Sequence, residues 1–167
     1  FSNFFKNKKF NLEIEIVEDG DQILDTGGGI YNMINKSNQN DFIVFNPDTI
    51  WNSNYHNEIL KMEEMYFSKK IKNILLLVNK DLSFDKNLKG DFNLEDNLIY
   101  KTPNKKFIFI GCQIINKKLF KKNFIKNFSI LDIWHDLIKK NFLYGYESQN
   151  NFYHLTDLST FRKLEDL

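Results

Sequence analysis

The chain has 167 residues, of which 42% are hydrophobic and 27% charged; that is one domain's length with apolar material for a core, and it excludes disordered, collagen-like and low-complexity classes. Its 23 basic and 22 acidic residues leave a net charge of +1, which gives no electrostatic case for a nucleic-acid partner. One cysteine excludes a disulfide framework and suits a reducing compartment, the longest apolar run (Ile74 to Val78) is too short to span a bilayer, and no signal segment opens the chain, so a cytoplasmic protein without a membrane partner is expected.

Strand-like and helix-like runs alternate along the chain, with no repeat and no linker. Asn11 to Val17 (NLEIEIV) alternates apolar and polar residues and predicts a half-buried strand. LDTGGGIYNMI reads as a loop leading into a helix, and Phe42 to Phe45 as a short strand of the buried parallel type. From about 54 to 68, Ile59, Met62 and Tyr66 share one helical face, and Ile71 to Val78 is a second buried strand. The stretch 90–115 reads as β-rich, with a turn at Thr102-Pro103-Asn104 and a strong strand at Phe107 to Ile110. Ile130, Ile133, Trp134, Leu137 and Ile138 predict a helix, opened by Ser129 and Asp132 in capping-box spacing. Phe142 to Tyr146 and Phe152 to Leu155 are strand-like, and a short helix from about Thr160 closes the chain. This order predicts an α/β protein with a mainly parallel sheet and helices on both faces. Ligands of such sheets bind outside the carboxyl ends of strands.

Several chemistries lack their residues. There is no P-loop, and Gly27-Gly28-Gly29 does not extend to a dinucleotide fingerprint, which disfavours a NAD-binding fold. His56, His135 and His154 are scattered without zinc spacing, with His56 and His135 read as surface residues of helices. Cys112 reads as a small buried residue, and no G-x-S-x-G elbow anchors a hydrolase triad. Three features remain. Thr26-Gly27-Gly28-Gly29 stands at a loop-to-helix junction, where free N–H groups suit base-edge or phosphate contacts, or where a tight turn simply feeds the helix. Asp48 follows the strand FIVFN, as a Mg²⁺–phosphate ligand does, or as a turn cap after Pro47 does. Asp157 lies between a strand and a helix, and either pairs with Asp48 or caps the helix.

LDTGGGI, NPDTIW, KGDFNL, FIFIGCQIINKKLF and TDLSTFRKL together resemble, in order, the sugar-phosphate nucleotidyltransferases. The nearest branch is similar to N-acetylmuramate α-1-phosphate uridylyltransferase and the mannose-1-phosphate guanylyltransferase-like proteins. Its pattern runs L-x-E-T-G-G-G-I, N-G-D-x-W, G-D-F, an aromatic strand into Gly, and W-x-D-V-G-T. The resemblance implies a three-layer, doubly wound, Rossmann-like sheet of the nucleotide-diphospho-sugar transferase type, lacking its first strands. By resemblance, Asp25, Thr26, Gly27 and Gly28 would contact the nucleobase, and Asp48 and Asp157 would be the catalytic carboxylates holding Mg²⁺. Asn46, Gly90, Asp91 and Gly111 would line the sugar-phosphate side.

Departures accompany the match. Asp25 replaces the family's Glu, Asn46-Pro47-Asp48 replaces N-G-D, and 154–160 lacks the Trp and Gly of the closing motif. Nothing before Phe10 resembles the family's opening G-x-G-x-R-x-x-P-L-T, and the first residue is Phe1 rather than Met. Residues 1–167 are therefore expected to be a single nucleotidyltransferase domain, roughly the C-terminal two thirds of a family domain. The implied reaction joins an NTP, UTP first among candidates, to an N-acetylmuramate- or hexose-1-phosphate and releases pyrophosphate. The alternative is a non-catalytic nucleotide-sugar binding or regulatory relative. Oligomeric state is left open.

Overall fold

The computed structural model describes residues 10–120 and 127–165. Six strands form one sheet: β1 (Asp41–Phe45), β2 (Asn73–Asn79), β3 (Asn93–Glu95), β4 (Leu98–Tyr100), β5 (Phe107–Asn116) and β6 (Tyr144–Ser148), in the order β1-β5-β2-β6-β4-β3. The centre of the sheet is β2, whose NILLLV residues are all buried. Its side chains alternate between two cores, as the pleat requires. Leu75 and Leu77 join the core under α1 (Asp25–Ile34) and α3 (Ile130–Lys139). Ile74, Leu76 and Val78 join the core under α2 (Tyr55–Ser68). The result is three layers, helices on both faces of a mixed sheet.

Four strands, β1, β2, β6 and β3, run one way, yet four of the five neighbouring pairs are antiparallel. The reason is that β5 returns between β1 and β2, and β4 between β6 and β3. The parallel pair is β2–β6, joined by the crossover that carries α3.

Three expectations change. NLEIEIV is irregular, with Leu12, Ile14 and Ile16 exposed and no strand partner among the described residues. Alternation states which face a strand would bury, but pairing needs a neighbour. FIVF is half-buried rather than fully buried, because β1 has β5 as its one neighbour among the described residues; Phe42 and Val44 face the α1/α3 core while Ile43 and Phe45 stay about half exposed. Phe152 to Leu155 makes isolated bridges instead of a strand, Ser83 with Phe152 and Thr49 with His154. It thereby ties the loop after β2 to the loop after β1.

The helices follow their apolar spacing. In α3, Ile130, Ile133, Trp134 and Leu137 are buried, and Ser129 Oγ caps the helix by accepting from Leu131 N at 3.3 Å. In α2, Tyr55, Met62 and Tyr66 are buried. The last helix, α4 (Leu158–Glu165), begins slightly before the expected Thr160. No described helix is long and apolar enough to cross a membrane.

Candidate active site

The loop leaving β1 is clamped to a bulge in β5. The β2–β5 register shifts between Leu75 and Leu77, and Gly111 beside that shift takes φ +86°, a conformation that glycine adopts without strain. A Cβ at Gly111 would lie 2.8 Å from Asn46 Cβ and 3.0 Å from Thr49 Oγ1, so the absent side chain makes room for the loop. Asn46 N donates to Gly111 O at 2.7 Å, and Thr49 Oγ1 donates to Ile110 O at 2.8 Å. Trp51 Nε1 donates to Asn46 O at 3.1 Å and packs edge-on against Phe45 and Tyr55.

Asp48 sits in this fixed loop. Residues 153–155 run beside it, with Leu155 N donating to Asp48 O (2.8 Å) and Ile50 N to Tyr153 O (3.0 Å). This places His154 Nε2 3.2 Å from Asp48 Oδ2. On side chains that are 46% and 26% exposed, the atoms Asp48 Oδ1 and His154 Nδ1 are themselves buried and make no hydrogen bond to a described residue. Buried polar atoms without partners are costly and uncommon, and they mark places where water or a ligand completes the bonding.

Asp157 lies two residues beyond Leu155. Its Oδ1 accepts from Thr160 N at 2.7 Å and from Ser159 Oγ at 2.8 Å, which pulls its carboxyl below the usual aspartate value. That is the geometry of an N-terminal helix cap on α4. Among the described residues, no three His, Cys, Asp or Glu side chains are grouped to hold a metal ion.

The glycine-rich start of α1 is occupied from within. Thr26 Oγ1 accepts from Ile130 N at 3.1 Å, and Gly28 N donates to Phe128 O at 3.1 Å. A Cβ on Gly27 would meet the Phe128 ring at 2.4 Å and its carbonyl oxygen at 2.8 Å. Asp25 takes φ +57°, and its Oδ1 accepts from Thr26 N. The free amide donors expected at this helix start are therefore already used at Thr26 and Gly28. Gly27 has a packing reason of its own.

Gly90 and Asp91 lie elsewhere, along the start of β5. Asp91 N donates to Phe107 O at 2.7 Å, and Asp91 Oδ2 accepts from Phe109 N at 3.0 Å. Although the residue keeps surface, desolvation of its carboxyl raises the pKa, against the pull of that amide and of Lys105 and Lys101. Cys112 is buried, and burial pushes its thiol up to about 12, so it is no nucleophile.

The structure thus brings together Asn46, Asp48 and Gly111, and runs the segment leading to Asp157 beside them. Residues 25–28 pack against 128–130, and residues 90–91 against 105–109. Sequence reasoning missed His154, because its partner lies in another loop and no spacing rule joins them. It also missed the Lys101 Nζ to His135 Nε2 contact of 2.7 Å.

Comparisons with solved structures decide the architecture. HddC from Yersinia pseudotuberculosis, complexed with GMP-PN, matches with TM-score 0.70 and 21% identity over 97% of this chain and 70% of that one. A UDP-glucose pyrophosphorylase from Acinetobacter baumannii matches at TM-score 0.70 and 14% identity, covering 97% and 62%. The inositol-1-phosphate CTP transferase from T. maritima matches at 0.62 and 13%, covering 82% and 58%. The chain has the nucleotide-diphospho-sugar transferase fold. No family model and no curated protein matches the sequence.

Proposed function

We propose that the protein is a sugar-phosphate nucleotidyltransferase, in which a sugar 1-phosphate oxygen attacks the α-phosphorus of an NTP in line and pyrophosphate leaves. What carries this reading is the Asp48 junction, a carboxylate with an unpartnered buried oxygen in the loop leaving a sheet strand, on a fold shared with nucleotide-sugar enzymes. The donor chemistry fits Mg²⁺, which takes one or two carboxylates and completes its shell with phosphates and water. Asp48 would hold it through Oδ1, with Asp157 contributing the oxygen its helix cap leaves free. When bound, Mg²⁺ supplies charge neutralisation on the phosphates.

The protein's own share is positioning. Gly111 and Thr49 fix the Asp48 loop, and His154 orients its carboxylate. UTP is the nucleotide and an N-acetylmuramate- or hexose-1-phosphate the acceptor in this reading, with the α1 start on the nucleobase side and Asn46, Gly90, Asp91 and Gly111 on the sugar-phosphate side. A non-catalytic nucleotide-sugar binding relative is favoured by two observations: Asp157 is engaged as a helix cap, and Pro47 replaces the glycine of N-G-D.

The test is pyrophosphate release by the complete gene product from UTP with each sugar 1-phosphate, under Mg²⁺ titration. Turnover that needs Mg²⁺ and falls in Asp48→Asn supports the enzyme. Nucleotide-sugar binding with no turnover under any substrate pair supports the relative.

A further inference from the structure

The Asp48 loop continues into α2, and the turn after β6 continues into His154, so the two segments pass one another in opposite directions. Links in series join them. Leu155 N donates to Asp48 O at 2.8 Å and Ile50 N to Tyr153 O at 3.0 Å, and farther out Tyr55 Oη donates to Asn151 O at 2.9 Å. The outermost link is Glu58, in the first turn of α2. Its Oε2 accepts from Ser148 Oγ at 2.6 Å, and its Oε1 accepts from Gln149 N at 2.9 Å. In order, 48 meets 155, 50 meets 153, 55 meets 151, and 58 meets 148 and 149. That is a ladder, and its register decides which residue faces Asp48.

Two observations set Glu58 apart from an ordinary helix carboxylate. Both of its oxygens are spent on one turn, and the hydroxyl it holds belongs to the fully buried Ser148, which also accepts from Asn150 N at 3.1 Å. Bonds to an ionised acceptor are roughly twice as strong as neutral ones, so this rung is the firmest of the ladder. The sheet, moreover, does not need it. Ser148 already pairs with Val78, and α2 is fastened by its buried Tyr55, Met62 and Tyr66. What the sheet leaves open is the course of the chain once β6 ends at Ser148. Phe152 anchors that course midway, its N donating to Leu82 O at 3.0 Å and its O accepting from Phe84 N at 2.9 Å. Burial first, then the Glu58 charge, pushes the Tyr55 phenol up to about 12, which keeps it a donor to Asn151.

We propose that Glu58 is a positioning residue for the Asp48–His154 junction: by holding Ser148 and Gln149 it sets where the turn after β6 begins, and so the register in which His154 arrives beside Asp48. It acts through residues 149–155. Its consequence for turnover rests on the transferase reading, in which a small misplacement of the groups around Asp48 is expensive; its consequence for the ladder does not.

The experiment therefore has two arms on the complete gene product, with Glu58→Ala, Glu58→Gln, Ser148→Ala and, as control, Glu63→Ala, an exposed carboxylate of the same helix. The first arm is amide hydrogen exchange resolved by NMR. At Ile50 and Leu155, Glu58→Ala is expected to speed exchange about tenfold, the cost of a lost bond to a charged group. Glu58→Gln, which keeps one acceptor, should recover part of the protection, and Glu63→Ala should leave it unchanged. Amides of β2 should exchange as in wild type in every variant. Adding Ser148→Ala to Glu58→Ala should cost little more than Glu58→Ala alone, because the two residues share one link. The second arm is kinetic: kcat is expected to fall about tenfold in Glu58→Ala, with KM for UTP within about twofold, and to recover in part in Glu58→Gln. Unchanged exchange at Ile50 and Leu155, a rise shared equally by β2, fully additive losses, or an unaltered kcat in an active enzyme overturns the proposal. A wild type without turnover on any substrate pair removes the transferase reading, and exchange alone then decides whether Glu58 sets the junction.

Discussion

The start of α1 and the loop after β1 both carry motifs that pointed to ligand chemistry, and they differ in what the fold leaves unsatisfied. At α1, Thr26, Gly27 and Gly28 are turned inward: a hydroxyl accepts from Ile130 N, an amide donates to Phe128 O, and the missing Cβ admits the Phe128 ring. Every group accounted for there is accounted for by packing against the segment that opens α3. After β1, the backbone is equally well tied, yet Asp48 Oδ1 and His154 Nδ1 end without partners among the described residues. A glycine run has two sufficient causes, close approach of a ligand or close approach of the chain itself. An unpartnered buried carboxylate oxygen has fewer.

The largest expected effect tests the unsatisfied side of that contrast. Asp48→Asn keeps the size and removes the charge, so turnover should fall about 10²–10³-fold while stability shifts by about 0.5 kcal/mol or less. Steady-state kinetics with thermal melts will show whether the two separate. A variant that loses stability and activity together makes Asp48 a structural partner of His154. Next comes the satisfied side. Gly27→Ala drives a methyl into both the ring and the carbonyl of Phe128, and should cost about 1–3 kcal/mol in chemical denaturation. A neutral Gly27→Ala would mean the α1–α3 junction is loose and the glycine is there for another reason.

Thr26→Val sharpens the comparison at a smaller scale. It is close to isosteric and leaves Ile130 N without its acceptor, for an expected loss of about 1 kcal/mol or somewhat more. With a purely structural Thr26, the affinity for UTP measured by titration should stay within about twofold of wild type. A selective loss of UTP affinity without a loss of stability would return the motif to nucleotide recognition.

What was legible in the sequence follows the same division between local and non-local causes. The helices α2 and α3 and the central β2 read correctly because each carries its own periodicity: Met62 and Tyr66 one turn apart, Ile130 to Leu137 at helical spacing, NILLLV as an unbroken apolar run. The strand expected at NLEIEIV failed, because alternation is local whereas a strand is a property of two segments. The β3–β4 turn at Asp96 and Asn97, both at positive φ, carries the Asx signal of a tight hairpin, a signal weaker by eye than the proline of the Thr102-Pro103-Asn104 turn. At the site, Asp48 was legible as a polar residue ending an apolar strand. His154 was not, since nothing in FYHLTD says which loop it will meet.

The smallest expected effect concerns Asp157, which belongs to whichever side of the comparison its carboxylate serves. The Thr160 amide first, then the Ser159 hydroxyl, hold its carboxyl below the ordinary aspartate value. A depressed folded-state pKa contributes stability that is present above the unfolded value, about 3.9, and is lost as pH falls through the folded one. Asp157→Asn keeps a competent cap and loses only the charge, whereas Asp157→Ala loses the acceptor as well. The melting temperature at pH 7 should therefore fall in the order wild type, Asn, Ala. The gap between wild type and Asn should close as the pH is lowered from 5 to below the folded-state value, because there both side chains are neutral. A gap that persists unchanged in acid would show that the carboxylate's charge is not what the cap uses. If Asp157→Asn also leaves Mg²⁺-dependent turnover intact, the residue is a helix cap alone, and Asp48 holds the metal without it.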